Sequence, residues 1–223
     1  MSATSAALGP SAIPRLRFAV LGAARVEHAA APTLRFTLRV ETLERVAIRS
    51  ILLDTQIQIA ARRRGYEDAD ADRLFELFGH ERDWGTTLRT LLWARVTAVV
   101  GPFEGETTVP LDVPCTYDLD VAAARYLDAL GSGTVPLELL FSGTVFYAGA
   151  GGLLQAGRIS WEEEAEFALP VRLWRETMDA HFPGAAWLRL PKRAHERLCA
   201  FKSRRALAGW DDVVDALLGE EDA

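Results

Sequence analysis

From Leu34 to Glu41 apolar and polar residues alternate without a break. Leu34, Phe36, Leu38 and Val40 fall on one side, and Arg35, Thr37, Arg39 and Glu41 on the other. A period of two marks a strand with one buried face. Ile48 to Ile59 repeats the pattern, with Leu53, Thr55, Ile57 and Ile59 opposite Asp54, Gln56 and Gln58. Two such strands in succession predict an antiparallel pair with one wet face. The same reading predicts strands over Arg15–Gly22, Leu88–Val100, Thr107–Tyr117, Val135–Tyr147, Leu153–Trp161 and Glu163–Leu169. Pro110 and Pro114 place the Thr107–Tyr117 strand at an edge or a bulge, because proline donates no ladder hydrogen bond. The Gly149–Gly152 cluster predicts a hairpin connection.

The period changes to that of a helix in five places. Asp70 or Asp72 is positioned to cap a short helix through Leu74 to Phe78, closed by Gly79. Asp118 or Asp120 does the same for Val121–Leu130, with Gly131 as the stop. Val171–Ala180 has helical spacing and ends at Phe182-Pro183-Gly184. Pro191 then opens a helix that runs to about Leu207, followed by a short amphipathic stretch over Asp211–Leu218. The expected fold is mainly β. It is an antiparallel two-layer β-sandwich of immunoglobulin-like layering, with short inserted helices and a helical C-terminal segment. The expected domains are a flexible leader over 1–14, a sandwich core over 15–170, and a helical segment over 171–223 packed on that core.

Composition narrows the setting more than the function. The 223 residues are 49% hydrophobic and 25% charged, which is ordinary for a folded domain. A net charge of −6 argues against general nucleic-acid binding. Lysine occurs only at Lys192 and Lys202, asparagine is absent, and arginine carries the positive charge, a bias that points to a GC-rich bacterial genome. Met1–Pro14 lacks the basic region and apolar run of a signal peptide, and no stretch is long and apolar enough to span a membrane. The expected location is cytoplasmic.

Few residues are arranged for chemistry. His195 and Cys199 stand at i and i+4, one face of a helix, and with Cys115 or His181 could ligate zinc or nickel; the plainer reading is a histidine over a small thiol. Cys115, Tyr117, Asp118 and Asp120 cluster where a strand meets a helix, a place where a thiolate is stabilised. The plainer reading there is a core cysteine followed by a capping aspartate. Glu162, Glu163 and Glu164 offer paired carboxylates for acid–base work on a sugar, or simply a hydrated strand edge. Neither a nucleotide-binding glycine loop nor a serine-hydrolase elbow is present, and no cofactor is expected. The most unusual feature is charge segregation near the C-terminus. Lys192, Arg193, Arg197, Lys202, Arg204 and Arg205 crowd one segment, and Asp211, Asp212, Asp215, Glu220, Glu221 and Asp222 follow without a cation. These are either two solvated faces, with or without pairing between them, or a basic docking face for an acidic partner. Trp174, Phe182 and Trp187 flank the helix breaks, either as interface anchors with Arg193, Arg197, Arg204 and Arg205 or as a seal onto the sandwich.

Several strings together carry a resemblance. They are Q-I-Q-I (Gln56–Ile59), L-F-G (Leu77–Gly79) before Trp84, V-P-C-T-Y-D (Val113–Asp118), V-P-L-E-L-L-F-S-G-T-V-F-Y (Val135–Tyr147), and H-F-P-G (His181–Gly184) with Trp187. From Phe18 to Leu218 the chain resembles an uncharacterised actinobacterial family whose members are often encoded near nickel–iron hydrogenase genes. That resemblance implies a protein partner, a hydrogenase subunit or maturation factor, and assigns no catalytic residue. Val109–Pro170 is also similar to the sandwich of late-embryogenesis-abundant and desiccation-response domains, and Cys115–Pro136 more loosely to the export chaperone SecB. The leading expectation is therefore a non-catalytic accessory or assembly protein. A binding module or chaperone-like protein for apolar ligands or unfolded segments comes second, and a cysteine- or metal-dependent hydrolase third.

Overall fold

The computed structural model describes residues 13–116, 118, 121–185 and 190–219. Contacts divide the chain into two units, one ending at Ala186 and one beginning at Trp187. In chain order the first unit holds β1 (Leu16–Arg25), β2 (Thr33–Thr42), β3 (Ala47–Ile59), α1 (Asp68–Phe78), α2 (Trp84–Thr87), β4 (Leu91–Val100), β5 (Phe103–Glu104) and β6 (Glu106–Pro114). It continues with α3 (Ala122–Ala129), β7 (Thr134–Ala148), β8 (Leu154–Arg158), β9 (Glu164–Pro170) and α4 (Val171–His181). The second unit holds α5 (Lys192–Arg204) and α6 (Trp210–Leu218). The leader expected over 1–14 falls mostly outside the described residues.

The first unit is a β-sandwich. A three-stranded antiparallel sheet, β1-β2-β6, lies over a six-stranded one, β4-β3-β7-β8, in which β5 extends the pairing along β3 and β9 along β7. The alternating faces meet between the sheets. Leu34, Phe36, Leu38 and Val40 of β2 are buried, as are Ile51, Leu53, Ile57 and Ile59 of β3 and Val135, Leu137, Leu139 and Phe141 of β7. Phe18 stacks on Phe141 with ring centroids 4.2 Å apart. β6 is an edge strand, so Pro110 and Pro114 remove no donor that an outer neighbour would need.

β2 and β3 do not pair with each other, contrary to the expected antiparallel pair. β2 lies between β1 and β6, whereas β3 lies between β4 and β7 in the other sheet. Both alternate because each is a central strand facing the same core from opposite sides. The turn between them is a corner. Buried Thr42 donates its hydroxyl to the Glu44 carbonyl, and the Glu44 carboxylate accepts from the Arg15 amide and guanidinium, each at 2.8 Å. The strand ending at Arg158 and the one starting at Glu164 share β7 end to end. Residues 141–143 of β7 face 159–163, where the chain leaves the ladder and turns through Ser160 before the Phe141 amide meets the Glu163 carbonyl at 3.0 Å. Opposite this excursion, Gly143 takes φ +136°, and a Cβ there would sit 2.0 Å from the Leu52 carbonyl oxygen.

Helices close the ends of the sandwich. The N-cap of α1 is Glu67 and that of α3 is Val121, neither with a side-chain cap. Of the expected caps, Asp70 and Asp72 lie inside α1, Asp118 precedes the Val121 N-cap, and Asp120 lies outside the described residues. Asp70 sits inside α1, on the face that also carries Leu74 and Phe78, and is only 2% exposed. Its carboxylate accepts from Arg64 Nη2 at 3.1 Å and from the Gly131 amide at 2.9 Å. The Arg64 guanidinium also donates to the Ser132 carbonyl at 2.8 Å and the Thr134 carbonyl at 2.9 Å. Beside it Tyr66 donates to the Ala61 carbonyl at 2.6 Å, and the Tyr66 and Tyr126 hydroxyls are 2.8 Å apart. Burial pushes both phenols above their ordinary range.

α4 belongs to the first unit, so the chain divides after this helix and not at 170/171. Trp174 explains why: it is 1% exposed and meets Trp93 edge to face, 6.2 Å between centroids. It is a core residue that seals α4 onto the sandwich, not a docking anchor. Phe182 is likewise packed against the core, half-buried.

Three substitutions test this framework by chemical denaturation. Asp70→Ala leaves the Arg64 charge buried and is expected to cost about 3–5 kcal/mol, with Arg64→Met adding less to it than it costs alone. Gly143→Ala, which meets both strain and a backbone clash, is expected to cost more than about 2 kcal/mol.

Candidate functional site

In the second unit α5 begins at Pro191, whose carbonyl receives the Ala194 amide at 2.8 Å and the His195 amide at 3.1 Å. Only Ala194, Leu198, Cys199, Phe201 and Lys202 of α5 are half-buried, and Arg193, Arg197 and Arg204 are exposed. At 3.6 residues per turn those three arginines form one row on the side away from the half-buried residues. The helix stops where Ala206 turns into the left-handed region at φ 51°, with the Leu207 amide reaching the Lys202 carbonyl at 3.1 Å. Lys202 folds over this stop, donating to the Leu207 carbonyl at 2.8 Å and to the Ala208 carbonyl. α6 starts at Gly209, whose amide is taken by the Asp212 carboxylate at 2.7 Å. Val213 is the only fully buried residue among the described residues of this unit.

The six cations of the segment therefore do different things. Lys192 lies 3.9 Å from Glu196, Lys202 holds the stop, and the Arg205 guanidinium lies 4.7 Å over the Phe201 ring. Arg193, Arg197 and Arg204 have no ion-pair partner among the described residues, and Asp211 and Asp215 of α6 have none either. Among the described residues α5 and α6 thus do not neutralise each other, as one expectation had it. Trp187 and the acidic residues Glu220, Glu221 and Asp222 lie outside the described residues. α6 also leaves an apolar stripe uncovered. Trp210 is 47% exposed, Leu218 is 60% exposed, and Val214 and Leu217 lie between them.

His195 and Cys199 are brought together. The sulfur lies 3.7 Å from Nε2 and 3.8 Å from Nδ1, and the imidazole is tilted against Trp210 at 6.0 Å. Among the described residues no group of three or more His, Cys, Asp or Glu is placed to hold a metal ion. His181, the other histidine considered as a ligand, bonds the Ala29 carbonyl at 3.0 Å in the first unit.

Cys115 sits in the sandwich core, 5% exposed, with its sulfur 3.5 Å from the Val113 carbonyl. Burial pushes its thiol up to about 12, so at neutral pH it is protonated and no nucleophile. Tyr117 and Asp120 of that cluster lie outside the described residues. The three glutamates separate. Glu162 is in the turn, Glu164 begins β9, and Glu163 is half-buried, its carboxyl raised by burial although Arg17 pulls it back. Trp161 beside them is 84% exposed. Arg64 and Asp70 form a polar centre that no motif marks; its trace in the sequence is a carboxylate in the Leu74/Phe78 stripe.

No helix among the described residues is long and apolar enough to cross a membrane. The model of a family of unknown function, DUF6084, matches residues 13–223. No curated protein matches the chain. Among solved structures, a β-glucosidase from Kluyveromyces marxianus aligns at 8% identity and a TM-score of 0.27, covering 70% of this chain and 15% of that one. The β-glucosidase 3B from Thermotoga neapolitana aligns at 14% identity and a TM-score of 0.26, covering 70% and 17%. The chain thus spans less than a fifth of either enzyme's length.

The two thiols are expected to separate in a titration with a disulfide reagent at pH 8. Half-buried Cys199 reacts in the native protein, and Cys115 reacts only after denaturant is added. Rapid native reaction of both would contradict the burial of Cys115.

Proposed function

The chain belongs to the DUF6084 family, whose function is unknown, and on that footing we propose that it is a non-catalytic accessory or assembly protein. It acts in the cytoplasm by binding another protein. The observation that carries this reading is the second unit. The α5 row of arginines without an ion-pair partner among the described residues and the exposed apolar stripe of α6 belong to a unit in which Val213 alone of the described residues is fully buried. Charge unpaired at a surface steers association and sets register, and an apolar stripe beside it supplies affinity once covered. A nickel–iron hydrogenase subunit or maturation factor is the partner that the family resemblance implies. Burial of Cys115 weakens the competing hydrolase reading, because the core thiol is neither exposed nor ionised.

The test is an affinity pull-down of the tagged full-length chain from its own host. Stoichiometric recovery of a hydrogenase subunit or maturation factor is expected, with recovery lost on Arg193→Glu/Arg197→Glu/Arg204→Glu. Elution of the chain alone, or with scattered unfolded clients, overturns the reading.

A further inference from the structure

The second unit is short of a core. This unit runs from Trp187 to the end of the chain, and its cysteine, Cys199, is free. Among its described residues only Val213 is fully buried. Trp210, Val214, Leu217 and Leu218 continue from Val213 around α6 at helical spacing, and all four face outward. Asp211 and Asp215, one turn apart, line the far border of that stripe.

The complement of this surface lies in the same unit. Arg193 and Arg197 are also one turn apart, exposed, and without an ion-pair partner among the described residues. Helices that are oppositely charged and do not pair among the described residues of one copy are self-complementary between two copies. A two-fold contact repeats every pairing, so a residue of one copy that meets its counterpart is met in return. With α6 of one copy laid antiparallel on α5 of the other, Arg193 faces Asp215 and Arg197 faces Asp211, twice over. The apolar stripes of both copies are covered in the same step.

We infer that the second unit is a homodimerisation element, in which the apolar stripe of α6 docks on a second copy of this chain and the Arg193/Arg197 pair of one copy meets the Asp211/Asp215 pair of the other. This rests on the reading of the second unit as a protein-binding surface and names one partner for it. The arrangement gives a small helical bundle built from two hairpins, with charge setting the register and apolar burial the affinity. Arg204 remains outside the contact, and a different protein that engages Arg193 and Arg197 competes with the second copy for the same face.

Sedimentation of the full-length chain over a dilution series tests this. The wild type is expected to run at twice the monomer mass and to dissociate on dilution. Arg193→Glu/Arg197→Glu and Asp211→Arg/Asp215→Arg each place like charges across the contact and are expected to weaken the dimer by more than about tenfold. An equimolar mixture of the two variants restores opposite charges at both contacts, so dimer mass returns. That recovery excludes misfolding as the cause of the single losses. A wild type that stays monomeric, a dimer indifferent to either reversal, or a mixture that stays monomeric overturns the inference. A monomer that still captures a partner in the pull-down leaves the protein-binding reading standing, and a dimer that captures none overturns that reading alone.

Discussion

The first unit depends on how the irregular stretch from Ala129 to Thr134 is held. A segment that joins a helix to a central strand lies outside any ladder, so its backbone groups need other partners. Here charged side chains from three directions supply them. Arg73 of α1 donates to the Ala129 carbonyl, Arg175 of α4 to the Leu130 carbonyl, and Arg64 to the Ser132 and Thr134 carbonyls, while Asp70 accepts from the Gly131 amide. The Gly133 carbonyl takes the first amide of α4, that of Val171, at 3.0 Å. One short stretch therefore orients α1, α3, α4 and the start of β7. The Arg64–Asp70 pair earns its place through these backbone bonds more than through its own Coulomb attraction, since burying two charges costs about as much as their attraction returns.

The strands were legible because burial on one face leaves a period of two in the residues themselves. β2, β3 and β7 fall almost where alternation places them, and the prolines of β6 mark an edge that is an edge. Partnership was not legible, because alternation reports a buried face and says nothing of which neighbour supplies the ladder. β2 and β3 show the same pattern from opposite sheets for that reason. The helix caps failed on a related ambiguity. An aspartate near a helix start reads as a cap, yet Asp70 is turned inward by a need for an acceptor that only the folded Gly131 segment creates.

Charge told more than motif about the second unit, and less about the first. The clustering of arginine on α5 and of aspartate on α6 is visible in the residues, but its consequence depends on whether the two sets meet within one hairpin. Among the described residues they do not. The aromatic residues near the helix breaks show the opposite. Trp174 has the residue type of an interface anchor and is instead the plug under α4, because Trp93 of β4 presents an aromatic edge to it across the core.

The excursion between β8 and β9 separates two functions that strands usually combine. β7 keeps its hydrogen-bond register on both sides of 159–163, because the Ile159 amide and the Glu163 carbonyl re-engage Gly143 and Phe141 directly at its two ends. Residues between those anchors are therefore uncoupled from the ladder in length as well as in identity. That loop can be lengthened, shortened or rewritten between its two anchors without shifting a single pair in either sheet.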